Sequence, residues 1–252
     1  MPIILKSDDE IAIMREAGRI VANTLQVLVD ELRPGLVVKE LDRIVRREFA
    51  KHDVIPTFLG YGHPAYPATV CVSVNEEIVH GIPGRRVIHE GDIVSLDLGC
   101  TYKGFVADSA VTVIVGKPKD SVAEKLVNVT KEALAAGIAR ANAGNRMGEI
   151  SHAIQTHIES NGFGVVREYV GHGVGRDMHE EPQVPNFGPA DRGPVLKKGM
   201  VLALEPMVTV GDWRTRQLDD NWTVVTADGS LAAHFEHTIA ITDNGARVLT
   251  EP

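Results

Sequence analysis

The 252-residue chain carries 26 Lys and Arg against 34 Asp and Glu, a net charge of −8 with His neutral. That balance argues against a broad phosphate-binding surface, so no direct nucleic-acid partner is expected. Two cysteines, Cys71 and Cys100, cannot build a disulfide framework and lack the paired spacing of a zinc module, so both are expected as buried free thiols. No apolar run reaches membrane-spanning length, and "MPIILKSDDE" turns acidic within ten residues, so a cytoplasmic protein without leader or membrane anchor is expected.

From Ser7 onward Ile11, Met14, Gly18, Val21, Leu25, Leu28 and Leu32 recur at helical spacing behind a capping Ser and an acidic first turn, and the pattern stops at "RPG". A second helix points Val38, Leu41, Val45 and Phe49 inward and leaves the arginines of "VRRE" (45–48) to solvent. "ATVCVSVN" and "GDIVSLDL" alternate as strands, and "TYKGFVADSAVTVIVG" reads as a hairpin turning at Lys103 and Gly104. The second half replays the order, with a long helix near 119–141, a break at "NAGN", a shorter helix near 147–160, and strands.

Two internal matches make the replay more than an impression. "PGLVVKEL" (34–41) and "AGNRMGEI" (143–150) correspond at an offset of 109, and "VIHEGDIVSLD" (87–97) and "VLKKGMVLALE" (195–205) at an offset of 108. A duplicated unit of two helices and a set of strands is predicted, with the halves, about 1–115 and 116–252, joined in one domain because neither closes its sheet alone.

The second match aligns Asp97 with Glu205, each a lone carboxylate in a run that otherwise reads as buried strand. An ionised carboxylate there is costly unless paired or metal-bound, and neither run contains Lys or Arg before its acid except the pair at 197–198. Alternation puts Asp97 on one face with Ser95 and Ile93, Glu205 with Ala203 and Val201, Asp108 with Ala110 and Thr112, and Glu236 with His234 and Thr238. Four acids converging on one cavity repel one another unless cations neutralise them. A nitrogen ligand is available from His172 in the glycine-rich "YVGHGVGRDMHEEP".

The stretches "VCVSVNEEIVHGIPG" (70–84), "GDIVSLDLG", "GFVADSAVT" (104–112), "GHGVGRDMHEEPQVPNFG" (171–188), "GMVLALEPM" and "FEHTIAIT" (235–242) together resemble the type I methionine aminopeptidases, in order and over essentially the whole chain. The resemblance implies an α+β pita-bread fold, shared with prolidase, aminopeptidase P and creatinase: two pseudo-symmetric halves with a curved, mainly antiparallel sheet backed by helices. It implies five ligands to two divalent ions, with Asp108 and Glu236 bridging, Asp97 chelating one ion, and His172 with Glu205 completing the other. Carboxylate-rich ligation with one imidazole suits Mn, Fe(II), Co or Zn. A monovalent cation near Asn75 is also implied.

The implied reaction is hydrolysis of the first peptide bond, by a hydroxide shared between the two ions, with removal of an initiator methionine that precedes a small second residue. Glu205 would shuttle the proton, His179 would hydrogen-bond the carbonyl side and His80 the backbone at the scissile bond. The resemblance places Phe58, Tyr61, Tyr66, Cys71, Met178 and Trp222 around a methionine pocket. Two departures mark this sequence: "FLGYGHPAYP" is one residue longer than the family's usual loop, and Met178 stands where an aromatic is common. Nascent polypeptide N-termini are the implied partners, with docking at the ribosome, and a monomer is expected.

The nearest alternative is an X-prolyl aminopeptidase or dipeptidase of the same fold. Those relatives carry an extra N-terminal domain, whereas this sequence begins directly with the first catalytic helix. A type II methionine aminopeptidase needs a helical insertion for which the 172-to-205 spacing leaves little room. A non-catalytic binding protein of this fold would show lost ligands and a basic extension, and neither is present.

Overall fold

Ser7 starts the first helix by a reciprocal exchange: its hydroxyl accepts from the Glu10 amide at 3.2 Å while the Glu10 carboxylate accepts from the Ser7 amide at 3.0 Å. The computed structural model, which describes residues 2–252, continues from this capping box into α1 (Asp8–Glu31), which ends ahead of Arg33–Pro34, and then α2 (Lys39–Phe49). Five strands follow: β1 (Val54–Pro56), β2 (Cys71–Val74), β3 (Glu77–Val79), β4 (Ile93–Tyr102) and β5 (Phe105–Ile114). The second half has α3 (Ser121–Arg140), α4 (Met147–Ser160), β6 (Gly164–Val165), β7 (Gly171–Gly173), β8 (Glu180–Val184), β9 (Val201–Leu204) and β10 (Met207–Thr209). It closes with β11 (Thr215–Gln217), β12 (Val224–Thr226), β13 (Ala232–His234), β14 (Glu236–Thr242) and β15 (Gly245–Val248).

The four helices and the β4–β5 hairpin fall where periodicity predicts, and Lys103 and Gly104, at φ 47° and 79°, make its two-residue turn. Strands run β1-β4-β5-β14-β9-β7-β8 in the large sheet, with β2 on β4 and β15 on β14, every pair antiparallel. Val94, Leu96 and Leu98 pack with Leu28, Leu41 and Val45 of the first two helices, and Leu202 and Leu204 pack with Leu126, Ile150 and Ile154 of the second two. Each half thus buries its own helix-facing side of the sheet, at about 1.5–3 kcal/mol per fully buried aliphatic side chain.

The halves repeat in detail. Isolated bridges join Val37 to Val87 and Arg146 to Val195, and the Gly35 amide donates to Ile88 as Gly144 does to Leu196. Gly91 and Gly199, with φ 78° and 88°, turn the chain into β4 and β9 at matching places. Where the halves meet, β5 and β14 share only Glu236 opposite Ala110 and His237 opposite Ser109. Hydroxyls supply what this short ladder lacks. Thr238 accepts from the Asp108 amide at 3.0 Å and donates to the Asp108 carbonyl at 2.7 Å, and Ser109 donates to the Glu236 carbonyl at 2.7 Å.

Two strands differ from expectation. β9 stops at Leu204, since Pro206 has no amide to extend the ladder, so Glu205 lies just past the strand rather than within it. "AAHFEHTIAIT" is broken at Phe235, which packs into the second-half core: β13 joins β10 and β6 in a small separate sheet while β14 joins the large one. His234 therefore parts from Glu236, contrary to the shared face that alternation predicts. Glu205 and Glu236 both stand at corners where the chain passes between sheets.

α1 approaches the end of β15 so closely at Gly18 that a Cβ there would lie 2.1 Å from the Leu249 carbonyl oxygen. Alanine is favoured over glycine by about 1 kcal/mol in a helix interior, yet here the clash is with backbone, which cannot swing aside. Gly18→Ala is expected to lower Tm by about 2–4 °C for each kcal/mol lost, measurable by thermal denaturation; a raised Tm would mean the two elements separate freely.

Candidate metal centre

Asp97 of β4 lies opposite Cys71 of β2 and Ala110 of β5, Asp108 lies opposite Gly99, and Glu236 opens β14 opposite Ala110. Three neighbouring strands thereby bring three acids to one side of the sheet, and β7 and the end of β9 add His172 and Glu205. One ligand atom from each of Asp108, His172 and Glu236 lies within 4.8 Å of the others, and His172 Nε2 is 3.6 Å from Glu205 Oε1. All five residues that the sequence nominates as ligands meet at one cavity.

The electrostatics of this cluster are those of a site built for cations. Asp97 Oδ1, Asp108 Oδ1 and Glu236 Oε1 are buried with no hydrogen-bond partner, an arrangement that native structures rarely tolerate without an ion or water. Burial, with Asp108 and Glu205 next in effect, holds the Asp97 carboxyl well above its ordinary range. Burial does the same to Glu205 and Glu236, with the Asp108 charge adding to both, and lifts Asp108 to about 7. Desolvation raises all four, and repulsion adds to it at Asp97, Glu205 and Glu236; a divalent cation opposes both.

His172 fits the same reading. Its Nδ1 stands 2.9 Å from the Gly173 carbonyl, which only accepts, so Nδ1 is the donor. Burial, then His179, lowers its pKa to about 4, leaving the ring neutral with the Nε2 lone pair turned toward Glu205. Two acceptors facing each other at 3.6 Å repel unless a cation or proton lies between them, and a metal-binding histidine commonly anchors its other nitrogen on a backbone carbonyl.

Phe58, Tyr61, Tyr66, Cys71, His80, Met178, His179 and Trp222 line the rest of the cavity, which has a volume of about 120 Å³. This is the compass of one side chain rather than of a polypeptide segment. Tyr66 turns its hydroxyl outward to the Gly81 and Val70 carbonyls, so its ring faces the cavity as an apolar wall. Cys71 and Cys100 are free and buried, as expected, and burial pushes the Cys71 thiol well above its usual range, making it an inert apolar neighbour. Trp222 donates from Nε1 to the Pro64 carbonyl at 3.0 Å and meets Tyr66 and His80 edge to face. A Cβ on Gly62, whose φ is 74°, would lie 2.7 Å from the indole ring, so only glycine lets the long 58–67 loop seat against Trp222.

The two histidines beside the acids are held differently. His179 lies over His172, with ring centroids 4.2 Å apart, and its Nδ1 is 2.5 Å from the Tyr61 hydroxyl, leaving Nε2 free. His80 has a left-handed backbone, φ 60°, and packs edge-on between Tyr169 and Trp222; burial, then His179, lowers its pKa to about 4. Tyr169 and Asn186 shape the site without having been nominated from sequence. Asn186 donates to the Glu205 carbonyl at 3.0 Å, and its own Oδ1 is buried and unpartnered. Tyr169 could have been suspected from its place in "EYVGHG", three residues before His172, whereas nothing local marks Asn186. A larger groove, of about 840 Å³, runs between α3 and α4, but alanines and solvated polar groups line it and it gathers no unpaired buried atoms.

Residues 12–243 match the family model for metallopeptidase family M24. Methionine aminopeptidase 1 of Bacillus subtilis is 54% identical over 248 residues, 98% of this chain and 99% of its own. The chain belongs to the methionine aminopeptidases of family M24. A solved methionine aminopeptidase from Thermotoga maritima superposes with a TM-score of 0.97 at 49% identity, covering 100% of both chains. Prolidase from Pyrococcus furiosus reaches a TM-score of 0.78 at 22% identity, over 99% of this chain and 66% of that one, and shares the fold. That fold is the α+β pita-bread arrangement of two pseudo-symmetric halves. The metallopeptidase family and the Asp108, His172, Glu236 trio together imply a divalent metal, and the unpaired carboxylate oxygens fit one.

The shifted carboxyls make stability depend on metal and pH. In metal-free protein they bind protons in the folded state at pH values where the unfolded chain, titrating near about 4, has released them, so stability falls as pH rises. The buried histidines have lowered pKa and act oppositely, but only below about 6.5. Between about pH 6.5 and 8 the carboxyl effect stands alone, worth up to about 1.4 kcal/mol per pH unit for each group still protonated. Chelator-treated protein is expected to lose Tm over that interval and metal-loaded protein to keep it; a flat profile for the stripped protein would show that the acids are relieved without a cation.

Proposed function

We propose that the chain is a dinuclear-metal aminopeptidase that removes N-terminal methionine from nascent proteins and peptides whose second residue is small. The observation that carries this is the ring of buried, unpartnered oxygens on Asp97, Asp108 and Glu236 around the free nitrogen of His172, at one end of a cavity whose other end is aromatic and sulfur-lined. Asp108 and Glu236 would bridge two ions, Asp97 would hold one, and His172 with Glu205 the other. Divalent ions bound there supply a water of lowered pKa and a polarised carbonyl at neutral pH.

The chain's own residues supply the remainder. Glu205, whose carboxyl is raised by burial, is suited to take the proton of the attacking water and return it to the leaving amine. His179, tethered at Nδ1 by Tyr61, offers Nε2 to the carbonyl side, and His80, kept neutral by burial and wedged by two aromatic rings, hydrogen-bonds the backbone at the scissile bond. Phe58, Tyr61, Tyr66, Cys71, Met178 and Trp222 receive the methionine side chain, which favours a polarisable, narrow pocket.

The ions would be drawn from Co, Mn, Fe or Zn, with a monovalent cation at the sharp turn that Asn75, φ 61°, makes between β2 and β3. Residues 1–252 would act as one catalytic domain built from a duplicated unit, a reading supported by the twin bridges at Val37–Val87 and Arg146–Val195. No helix among the described residues is long and apolar enough to cross a membrane, which is consistent with a cytoplasmic monomer working on nascent chains, at the ribosome or after release.

The deciding experiment supplies chelator-stripped protein with each divalent metal in turn and measures amino-acid release from Met-Ala-Ser and Ala-Pro-Ala. Metal-dependent release of methionine alone is expected; cleavage before proline would move the chain to the X-prolyl branch, and silence with every metal would leave a binding protein. Asp108→Ala should lose turnover and metal together, as read by metal analysis beside the assay. His179→Ala should lower kcat by about 10²–10³-fold, the loss typical of one donor to developing charge, while metal content stays that of the parent; loss of metal as well would give His179 a structural role.

A further inference from the structure

The β7–β8 connection, residues 174–179, carries Met178 and His179 and is braced by an ion pair, Lys6–Glu180, that the proposed reaction does not use. Glu180 begins β8 opposite Gly173, next to the irregular register at His172, and folds its carboxylate back into the turn. One oxygen accepts from the Arg176 amide at 2.9 Å and from the Asp177 amide at 3.4 Å. The other is 2.5 Å from Lys6 Nζ, with the two side chains only 3% and 6% exposed. Lys6 comes from the extended segment before α1, where its amide donates to the Gly199 carbonyl at 2.7 Å and its ammonium donates also to the Ile4 carbonyl at 3.1 Å. Space around the pair is closed: a Cβ on Gly175 would lie 2.3 Å from Glu180 Oε1 and 2.5 Å from Lys6 Cε.

A buried ion pair adds little net stability compared with apolar packing of the same volume, because both charges lose their hydration. What this one does is local. The carboxylate gathers the amides of the turn around itself, and the ammonium is the only charged side chain within salt-bridge distance of it among the described residues. Without Lys6 the carboxylate is left buried and unpaired, and it regains solvent only by leaving the turn, which releases the two amides that shape the approach to His179. We propose that Lys6 is a positioning residue for the reaction, acting through Glu180 to hold the turn that presents His179 and Met178 to the cavity. The proposal rests on the role given above to His179.

The test uses metal-loaded Lys6→Met protein, which removes the charge but keeps most of the volume, assayed on Met-Ala-Ser beside His179→Ala and the double variant. The expected result is a kcat at least tenfold lower with KM within about threefold, unchanged metal content, and amides of 174–180 exchanging hydrogen at least tenfold faster while α1 and β4 keep their protection. In the His179→Ala background the Lys6→Met change should cost less than twofold, because the effect passes through that ring. Wild-type kcat in Lys6→Met beside a crippled His179→Ala overturns the proposal alone, and so does a Lys6→Met loss that persists in full without His179. Wild-type kcat in His179→Ala overturns the role of that histidine and this proposal with it. Should Lys6→Met fail to fold, Glu180→Gln, the same shape without the charge, is read the same way: lowered kcat and faster exchange in the turn support the assignment, and parental values for both overturn it.

Discussion

The burial of four carboxylates in one place is the constraint on which this site depends. Asp97, Asp108, Glu205 and Glu236 are drawn from both halves of the chain into one cavity wall, and desolvation is the largest cause that raises each carboxyl above its ordinary range. Other features answer to that constraint. His172 anchors its Nδ1–H on a backbone carbonyl and so presents a lone pair, not a proton, to the cluster. The chain breaks its strands at Glu205–Pro206 and at Phe235, so that two of the acids stand at corners with room in front of them rather than in the closed middle of a ladder.

Opposite the acids the wall has a different character. Phe58, Tyr66, Met178 and Trp222 present rings and sulfur, and the tyrosine hydroxyl and the indole N–H both spend their hydrogen bonds on backbone carbonyls outside the cavity. The polar and apolar ends are thus cleanly divided, with His80 and His179 along the boundary, both disfavoured as cations by burial. A neutral imidazole there can give or take one hydrogen bond without adding charge to a site whose charge is already decided by its acids and ions.

Much of this was legible in the residues because the signals were local and periodic. The Ser7–Glu10 cap, the α1 stripe, the Lys103–Gly104 turn and the faces of β4 and β5 each follow from spacing over a few residues. The matching order of the two halves was legible because a glycine of positive φ, Gly91 or Gly199, stands before both β4 and β9. The five candidate ligands were nominated from strand faces and a glycine-rich stretch, the eight other cavity residues through resemblance, and all of them line one cavity. What escaped was non-local. Alternation runs on through "HFE", so nothing in the stretch itself says that the partner strand changes at Phe235. Asn186 reaches Glu205 across 19 positions, Tyr61 reaches His179 across 118, and Lys6 reaches Glu180 across 174, distances over which no pattern in one sequence connects two side chains.

The seam between β5 and β14 has a consequence for how such a site evolves. Two ladder pairs and a handful of hydroxyls hold the halves in register there, and one of those hydroxyls, Thr238, grips both the amide and the carbonyl of Asp108. The backbone of Asp108 is therefore held at both its amide and its carbonyl by a side chain two residues from Glu236, on the same strand. A fold assembled in this way can alter the loops that line its cavity while the spacing between its charged groups stays calibrated, because the gauge lies in the junction and not in those loops.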